Sequence, residues 1–217
     1  MFLKGVGELM SKITAIRFRQ DRGKRVNVFL DGRFAFSLSA EVAVKQGLQV
    51  GQELSTSHIE ALARSDNFHR CLAAAARYLS YRPRSEFELR ERLYRRGFDG
   101  DSVEAALAKL KEQGLVDDTA FAQFWKDNRE SFSPRSRWLT KLELRQKGVA
   151  QEVIDRVADV IDDDDSAYRA AVNKARSLPK SDYQGFRYRL GEYLKRRGFS
   201  YGVISHAVER VWQEGSR

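Results

Sequence analysis

A glycine that returns twice at nearly constant spacing dominates the sequence. Residues 95–98 read Arg-Arg-Gly-Phe, residues 146–149 read Gln-Lys-Gly-Val and residues 196–199 read Arg-Arg-Gly-Phe, so the glycines lie 51 and then 50 residues apart. A leucine lies four residues before each glycine. A helix often ends at a residue in the left-handed conformation, which glycine adopts without a Cβ clash. Each of the three stretches is therefore predicted to end a basic helix.

A second apolar pattern follows each glycine. Apolar residues recur 6, 10 and 13 positions later, at Val103, Leu107 and Leu110, at Ile154, Ala158 and Ile161, and at Ile204, Val208 and Val211. Steps of four and three residues mark one face of an α-helix. Each unit therefore predicts a basic amphipathic helix, a glycine stop, a buried apolar residue and a second amphipathic helix.

Together these features define a mainly α-helical unit of three helices. Three repeats are predicted, over residues 67–117, 118–163 and 164–217. Prolines at positions 83, 134 and 179 separate the first two helices of each repeat, because the residue before a proline avoids the α conformation. One helical unit repeated in tandem predicts an elongated, curved array in which each repeat buries its apolar side against its neighbour.

Several helix starts are predicted from capping residues. Ser57, Ser85 and Asp101 are each followed three residues later by a glutamate, the spacing of a capping box. One of the two aspartates at 117–118 is predicted to cap the helix that opens the second repeat. The four aspartates at 162–165 lack the spacing of a calcium-binding loop, so they are predicted to form a solvated turn and helix cap.

The first 66 residues differ from the repeats. Apolar and polar residues alternate over 13–38, which predicts a three-stranded antiparallel meander with turns at 21–24 and 31–32. A short helix from Ser39, ended by Gly47, is predicted to cover this small sheet. The predicted boundaries are residues 1–12 for a flexible leader, 13–54 for a small β module and 55–66 for a connecting helix.

The charge is strongly basic and unevenly distributed. The net charge of +9 and the pI near 9.7 favour an acidic partner, either nucleic acid or an acidic protein surface. Residues 166–217 contain 11 basic and 4 acidic residues, whereas residues 119–165 contain 8 and 10. The basic excess therefore lies at the two ends of the chain and above all in the third repeat.

Several function classes are disfavoured. No run of about 18 uncharged apolar residues is present, so no membrane-spanning helix is predicted. The single cysteine, Cys71, allows no internal disulfide and fits a reducing cytoplasm. The three histidines lack zinc-like spacing, and there is no Walker-type glycine loop and no nucleophile beside a base. No catalytic residue, metal or cofactor is predicted, and a monomer is the simplest interpretation.

Several short motifs stand in a characteristic order. They are Tyr-Leu-Ser at 78–80, Ser-x-x-Glu-Leu-Arg at 85–90, Leu-x-x-x-Gly-Phe at 93–98, and Gly-Leu-Val-Asp-Asp-x-x-Phe-Ala at 114–122. Over residues 67–214 the chain resembles the RecX family of bacterial recombination regulators, and residues 13–54 resemble the leader of its longer members. Residues 146–149 and the acidic run at 162–165 depart from the family pattern.

The resemblance implies a non-enzymatic protein that binds RecA filaments on single-stranded DNA. Family members lodge in the helical groove of the filament and restrain its ATP hydrolysis, extension and strand exchange. The resemblance therefore places the chain in homologous recombination, DNA repair and the SOS response. A repeat array with a basic face suits this role, because many modest contacts then act together through effective concentration.

The basic helices are the candidate partner-binding surface for the RecA filament and its DNA. The candidate residues are Arg82, Arg84, Arg90, Arg92, Arg95 and Arg96 in the first repeat, Arg135, Arg137, Lys141, Arg145 and Lys147 in the second, and Arg187, Arg189, Lys195, Arg196 and Arg197 in the third. Arginine suits carboxylates and phosphates alike. The alternative for any one of them is a solvated helix face with charges that favour the helix dipole.

Two other functions stay open at this stage. The first is a protein that binds single- or double-stranded DNA by itself, because helix pairs joined by a glycine turn can mimic helix-turn-helix units. The second is a scaffold that joins other proteins through its repeats, with the β module as a docking element. Five aromatic residues lie near basic ones and are candidates to stack on bases, although packing within the fold is the better interpretation. They are Trp125, Trp138, Tyr183, Tyr188 and Tyr201.

Overall fold

A computed structural model describes residues 9–19, 24–179 and 181–215. In this part of the chain the strands are β1 (Met10–Phe18), β2 (Arg25–Leu30), β3 (Arg33–Ser39) and β4 (Glu53–Ser55). The helices are α1 (Ala40–Lys45), α2 (Thr56–Leu79), α3 (Glu86–Arg95), α4 (Gly100–Glu112), α5 (Asp118–Phe132), α6 (Arg137–Gln146), α7 (Gln151–Ala158), α8 (Asp163–Ala175), α9 (Tyr183–Lys195) and α10 (Tyr201–Gly215). The chain divides into two compact units, Met1–Tyr78 with Arg92–Glu112, and Leu79–Glu91 with Gln113–Arg217.

The β module has one strand more than predicted. Its antiparallel sheet has the order β3-β2-β1-β4, and the added strand β4 pairs Leu54 with Ser11 and Glu53 with Lys12. A strand of three residues is too short to show period-two alternation, and therefore the sequence did not reveal it. β1 begins at Met10, inside the predicted leader, whose residues 1–8 lie outside the described part of the chain.

The sheet and α1 enclose a small apolar core. Its fully buried members are Ile13, Val26, Val28, Leu38, Val42, Ala43, Leu54 and Leu62. The predicted tight hairpin between β2 and β3 is confirmed, because Asp31 and Gly32 both have positive φ, at 49° and 83°. The predicted short helix after Ser39 is present as α1, and the Ser39 hydroxyl caps it by accepting the Val42 amide. The other predicted turn, at 21–24, falls mainly on residues outside the described ones.

The capping predictions are partly right. The Ser85 hydroxyl accepts the Glu88 amide at 3.1 Å, and Asp117 and Asp162 cap α5 and α8 as expected. The start of α2 lies earlier than predicted, since Ser55 rather than Ser57 accepts the His58 amide. Ser-x-Ser offers two equivalent hydroxyls, and only the backbone path selects between them.

The start of α4 also lies earlier than the capping motif suggested. Asp99, not Asp101, accepts the Ser102 amide at 2.8 Å. This bond holds the pKa of Asp99 below its ordinary value. The Asn67 side chain on α2 donates to the Ser102 hydroxyl at 3.1 Å and also contacts Asp99, so the same cap links α2 to α4.

The three glycine stops share one backbone geometry. At the first, φ of Gly97 is +85°, its amide bonds to the Tyr94 carbonyl, and the Phe98 amide bonds to the Leu93 carbonyl. Residues 144–149 and 194–199 repeat both bonds. This is a Schellman motif, in which the apolar residue after the glycine packs on the leucine before it. The predicted helix ends and apolar plugs are confirmed.

The second and third repeats are three-helix bundles with separate cores. α5, α6 and α7 contact one another around Phe121, Leu144 and Ile154. α8, α9 and α10 do so around Phe186, Leu190 and Val208, with an alanine-rich face of α8 against α10. Helices of this amphipathic kind are stabilised mainly by such packing, because each is too short to be stable alone.

Candidate partner-binding surface

All five candidate side chains of the second repeat have polar partners in the fold, although Arg137 and Arg145 are also exposed. Lys141 pairs with Asp155 at 2.6 Å and with Asp159 at 2.8 Å, and these bonds raise its pKa above the ordinary value. The other partners are the Ile161 carbonyl for Arg137, Gln151 for Arg145, Glu143 for Arg135 and Glu88 for Lys147. The basic pattern of this repeat therefore serves internal structure first.

A buried carboxylate organises the centre of the second repeat. Glu143 is 9% exposed and accepts a bond from Trp125 Nε1 at 2.7 Å and one from Arg129 Nε at 2.8 Å, while Arg135 also contacts it. Burial lowers the pKa of Arg129 and of Arg135. Sequence reasoning missed this cluster, although an acidic residue alone on a basic amphipathic helix is a signal for it.

Glu88 has a similar role for two other candidates. Arg82 donates to its two carboxylate oxygens at 3.0 and 3.1 Å, and Lys147 Nζ lies 2.6 Å from one of them. Burial alone would raise the pKa of Glu88, but the bonds from Arg82 and Lys147 outweigh it and hold the pKa below its ordinary value. Arg84 is buried and Arg90 pairs with Glu86. Arg82, Arg84 and Arg90 of the first repeat, like Lys147 of the second, therefore make contacts within the fold.

The remaining first-repeat candidates form an exposed cluster. Arg92, Arg95 and Arg96 line a surface concavity of about 340 Å³ together with Tyr78. The Arg92 guanidinium lies 5.4 Å from the centre of the Tyr78 ring, a cation–π arrangement that holds it at the surface. Three guanidinium groups around one concavity are suited to phosphates or carboxylates.

The third repeat exposes four of its five candidates. Arg187, Arg189, Lys195 and Arg196 are all exposed on or just after α9. Arg197 differs, because its guanidinium donates to the Pro134 carbonyl at 2.7 Å and to the Ser133 hydroxyl at 3.1 Å. Thus the two arginines of the Arg-Arg pair in the third repeat have different surroundings.

The five aromatic candidates also separate. Trp125 stacks with Arg129 and Lys147, and Tyr183 packs on Trp212 at a centroid distance of 5.1 Å. The remaining three, Trp138, Tyr188 and Tyr201, are 61%, 72% and 75% exposed. The exposed pair Tyr188 and Tyr201 is therefore available to a partner.

Within the second unit, the glycine stop that ends α6 packs against the start of α3, and the glycine stop that ends α9 packs against the start of α6. The Ser85 hydroxyl donates to the Lys147 carbonyl at 2.7 Å, and a Cβ added to Gly148 would lie 2.5 Å from Phe87 Cβ. Likewise the Ser136 amide donates to the Arg197 carbonyl, and a Cβ at Gly198 would lie 2.8 Å from Leu139 Cβ. Gly148 and Gly198 are thus required by a neighbouring helix as well as by their own positive φ. The sequence signal is an aromatic residue ten positions before each glycine, at Phe87, Trp138 and Tyr188.

The structure also shows the surroundings of the single cysteine and of the candidate metal ligands. Cys71 is fully buried, and burial raises the pKa of its thiol to about 11, with a contribution from Asp99. Among the residues the structure describes, no three His, Cys, Asp or Glu side chains come together as a metal site. None of the helices in this part of the chain has the length and apolar character needed to span a membrane.

Comparison with known sequences places this architecture in a family. The chain matches the RecX N-terminal domain over residues 11–55, and the first, second and third RecX three-helix domains over 71–110, 117–157 and 162–208. The chain belongs to the RecX family. The matched segments coincide with the β module and the three helical repeats.

Curated relatives match over nearly the whole chain. They include the "Regulatory protein RecX" of Clostridium botulinum (strain Eklund 17B / Type B), 32% identical over 93% of this chain and 97% of that protein. The protein of the same name from Clostridium beijerinckii is 30% identical over 93% of this chain and 96% of its own length. The RecX resemblance derived from the sequence motifs is therefore confirmed.

Solved structures agree with the fold. A crystal structure of regulatory protein RecX has a TM-score of 0.64 and 26% identity, and the match covers 92% of this chain and 99% of that one. The RecX of Lactobacillus salivarius, at 22% identity and a TM-score of 0.56, covers 68% of this chain and supports the fold alone.

Proposed function

We propose that this protein is a cytoplasmic, non-enzymatic regulator that binds the RecA filament on single-stranded DNA and restrains its ATP hydrolysis and strand exchange. Membership of the RecX family supports this role, and relatives carry the name "Regulatory protein RecX". The contacts are made by the exposed cations, which are Arg92, Arg95 and Arg96 in the first repeat and Arg187, Arg189, Lys195 and Arg196 in the third.

One structural observation carries the assignment of these residues. In the second repeat Arg135, Lys141 and Lys147 are only partly exposed and are paired with carboxylates, whereas the seven cations of the two other clusters are all exposed. An exposed cation can contact a phosphate or an acidic side chain with less rearrangement of the fold than one that is held in a partly buried ion pair. The exposed clusters are therefore the surface that a negatively charged filament meets at the lowest cost.

The test is RecA ATP hydrolysis on single-stranded DNA, titrated with this protein at fixed salt. The test variant reverses four exposed charges, at Arg95, Arg96, Lys195 and Arg196, each to Glu. A matched control reverses four exposed cations elsewhere, at Arg33, Lys45, Lys109 and Arg156, and so removes the same total charge. Arg197 is left intact, because its bonds to Ser133 and Pro134 belong to the fold.

We expect the test variant to require at least about tenfold more protein for half-maximal suppression, while the control stays within about threefold of the wild type. Circular dichroism of both variants checks that the helices are retained. Equal suppression by a folded test variant and the wild type would contradict the assignment of the surface. An unchanged ATPase rate with the wild type would contradict the proposed function itself.

A second candidate function is direct DNA binding. The observation that favours it is the pair of exposed tyrosines, Tyr188 and Tyr201, beside Arg187 and Lys195, since aromatic rings and cations together bind single strands. A titration of labelled oligonucleotide without RecA measures this directly. Tight binding that falls steeply with salt, together with ATPase suppression only at DNA-coating concentrations, would favour this candidate over filament binding.

A further inference from the structure

The third repeat has an open groove between α9 and α10. Its volume is about 480 Å³, and its lining residues are Arg187, Tyr188, Gly191, Glu192, Lys195, Phe199, Tyr201, Ile204, Ser205 and Val208. The floor is apolar, and two cations stand at the rim. Arg187 Nη2 lies 3.3 Å from the Tyr201 hydroxyl, so a polar contact also crosses the groove.

The corresponding position is occupied in the second repeat. Seven residues before the glycine stop stands Lys141, and its ammonium group bonds to Asp155, seven residues after the stop. At the same two positions the third repeat has Gly191 and Ser205. A Cβ at Gly191 would lie 3.8 Å from Ile204 Cγ2, an ordinary contact, so glycine is not required there by crowding. The first repeat also has a long cation at this position, Arg90.

The burial of the apolar residues that follow the three glycine stops agrees with an open groove in the third repeat. Of the nine apolar residues at offsets 6, 10 and 13 from the glycines, eight are buried, and Ile204 alone is half-buried. Tyr188 lies ten residues before its glycine stop, as Phe87 and Trp138 do before theirs. Phe87 and Trp138 each pack near the glycine stop of the next repeat. Tyr188 instead is 72% exposed.

We propose that this α9–α10 groove is a docking site for a peptide segment of a partner protein, with an apolar or aromatic side chain flanked by carboxylates. The apolar side chain enters over Gly191, between Tyr188 and Ile204. The flanking carboxylates meet Arg187 and Lys195 at the rim. The groove shares Arg187 and Lys195 with the surface proposed to bind the filament, but its test measures peptide binding without RecA, so the two proposals can fail separately.

Charge and shape select this occupant over other candidates. The rim cations disfavour a basic segment, and a second copy of this chain would bring further basic helices to a surface that is already basic. A narrow apolar floor with few charges at its edge is the form of groove that accepts single side chains of a peptide.

The test uses the full-length protein and a phage-displayed library of random twelve-residue peptides. Selected peptides are synthesised with a fluorophore, and their affinity is measured by anisotropy. The test variant is Gly191→Lys, which fills the groove as Lys141 fills its counterpart. The matched control is Gly202→Lys on α10, where an added Cβ meets nothing within 4 Å. Both variants add one positive charge and replace a helical glycine, but only the residue at 191 lies in the groove lining.

We expect selection to yield peptides rich in Asp, Glu and aromatic residues. Their affinity should fall at least about tenfold in Gly191→Lys and stay within about twofold in Gly202→Lys. The added positive charge makes this test strict, because purely electrostatic attraction would be strengthened in both variants. Selection without acidic and aromatic enrichment, or equal binding to both variants, would overturn the proposal. So would a labelled oligo-dT strand that binds the wild type and loses affinity only in Gly191→Lys, because the groove would then be a nucleic-acid site.

Discussion

The second and third repeats share one sequence pattern and use it differently. Both have a basic helix, a glycine stop and an apolar plug, and both glycines are held by a neighbouring helix. In the second repeat three of the five candidate cations are paired with Glu143, Glu88 and Asp155, whereas in the third four of the five are exposed. A basic helix is therefore not a partner surface by itself, since the acidic residues around it decide how its charges are used.

The second and third repeats also differ in the groove between their last two helices. In the second repeat Lys141 and two aspartates occupy it, and in the third Gly191 leaves it open. The second repeat thus uses this position for ion pairs within its own fold, whereas the third leaves it open to solvent.

The largest effect that would sharpen this comparison is expected at a glycine stop. Gly148→Ala combines the left-handed backbone penalty with a clash against Phe87, and we expect a loss of about 3 to 4 kcal/mol in the free energy of unfolding. Gly97 has nothing within 4 Å of an added Cβ, so Gly97→Ala carries only the backbone term, about 1 kcal/mol. Urea denaturation measures both variants, and equal losses would show that the contact with Phe87 contributes nothing.

The next effect is expected at the buried carboxylate of the second repeat. Glu143→Gln leaves Arg129 and Arg135 partly buried without their counterion, and we expect a loss of about 2 to 3 kcal/mol in unfolding free energy. The matched change in the third repeat is Glu192→Gln, whose contact with Lys195 is long, at 3.8 Å, and exposed. That variant should lie within about 0.5 kcal/mol of the wild type by chemical denaturation. Equal losses would remove the distinction between the repeats.

A pH-dependent effect is expected at Glu88. Its pKa is lower in the folded chain than the ordinary 4.5, so the folded state favours the ionised form. The stabilisation is fully present above about pH 4.5 and is lost as the pH falls through the folded-state pKa. Glu88→Gln should therefore lose about 2 kcal/mol at pH 7 and less at pH 3. Unfolding free energies of both proteins at the two pH values measure this, and a pH-independent difference would contradict it.

The smallest effect separates two adjacent arginines. Arg197→Ala removes the bonds to Pro134 and Ser133, and we expect a loss of about 1 to 2 kcal/mol in unfolding free energy. Arg196 is exposed, and Arg196→Ala should stay within about 0.5 kcal/mol. In the RecA ATPase assay the order should reverse at temperatures where both are folded, with Arg196→Ala the weaker inhibitor. A stability loss shared equally by both variants would show that the Arg-Arg pair acts as one unit.

Much of the fold follows from local patterns in the sequence. The Leu-x-x-x-Gly-apolar endings predict the helix stops, because a Schellman motif needs only residues within one turn of each other. The Asp31-Gly32 hairpin and the apolar face of each repeat follow in the same way. The strand β4 and the caps at Ser55 and Asp99 did not, since a three-residue strand has no periodicity and neighbouring hydroxyls or carboxylates compete for one backbone amide.

The sequence by itself determined the three-helix repeat, the β module and the family, because these depend on spacings along the chain. It could not decide which basic residues face a partner. That depends on carboxylates distant in sequence, such as Glu88 beside Lys147, which are 59 residues apart. Coulomb attraction and burial act through space, and so only the tertiary structure shows which basic residues are paired with carboxylates, as Arg135, Lys141 and Lys147 are, and which are exposed.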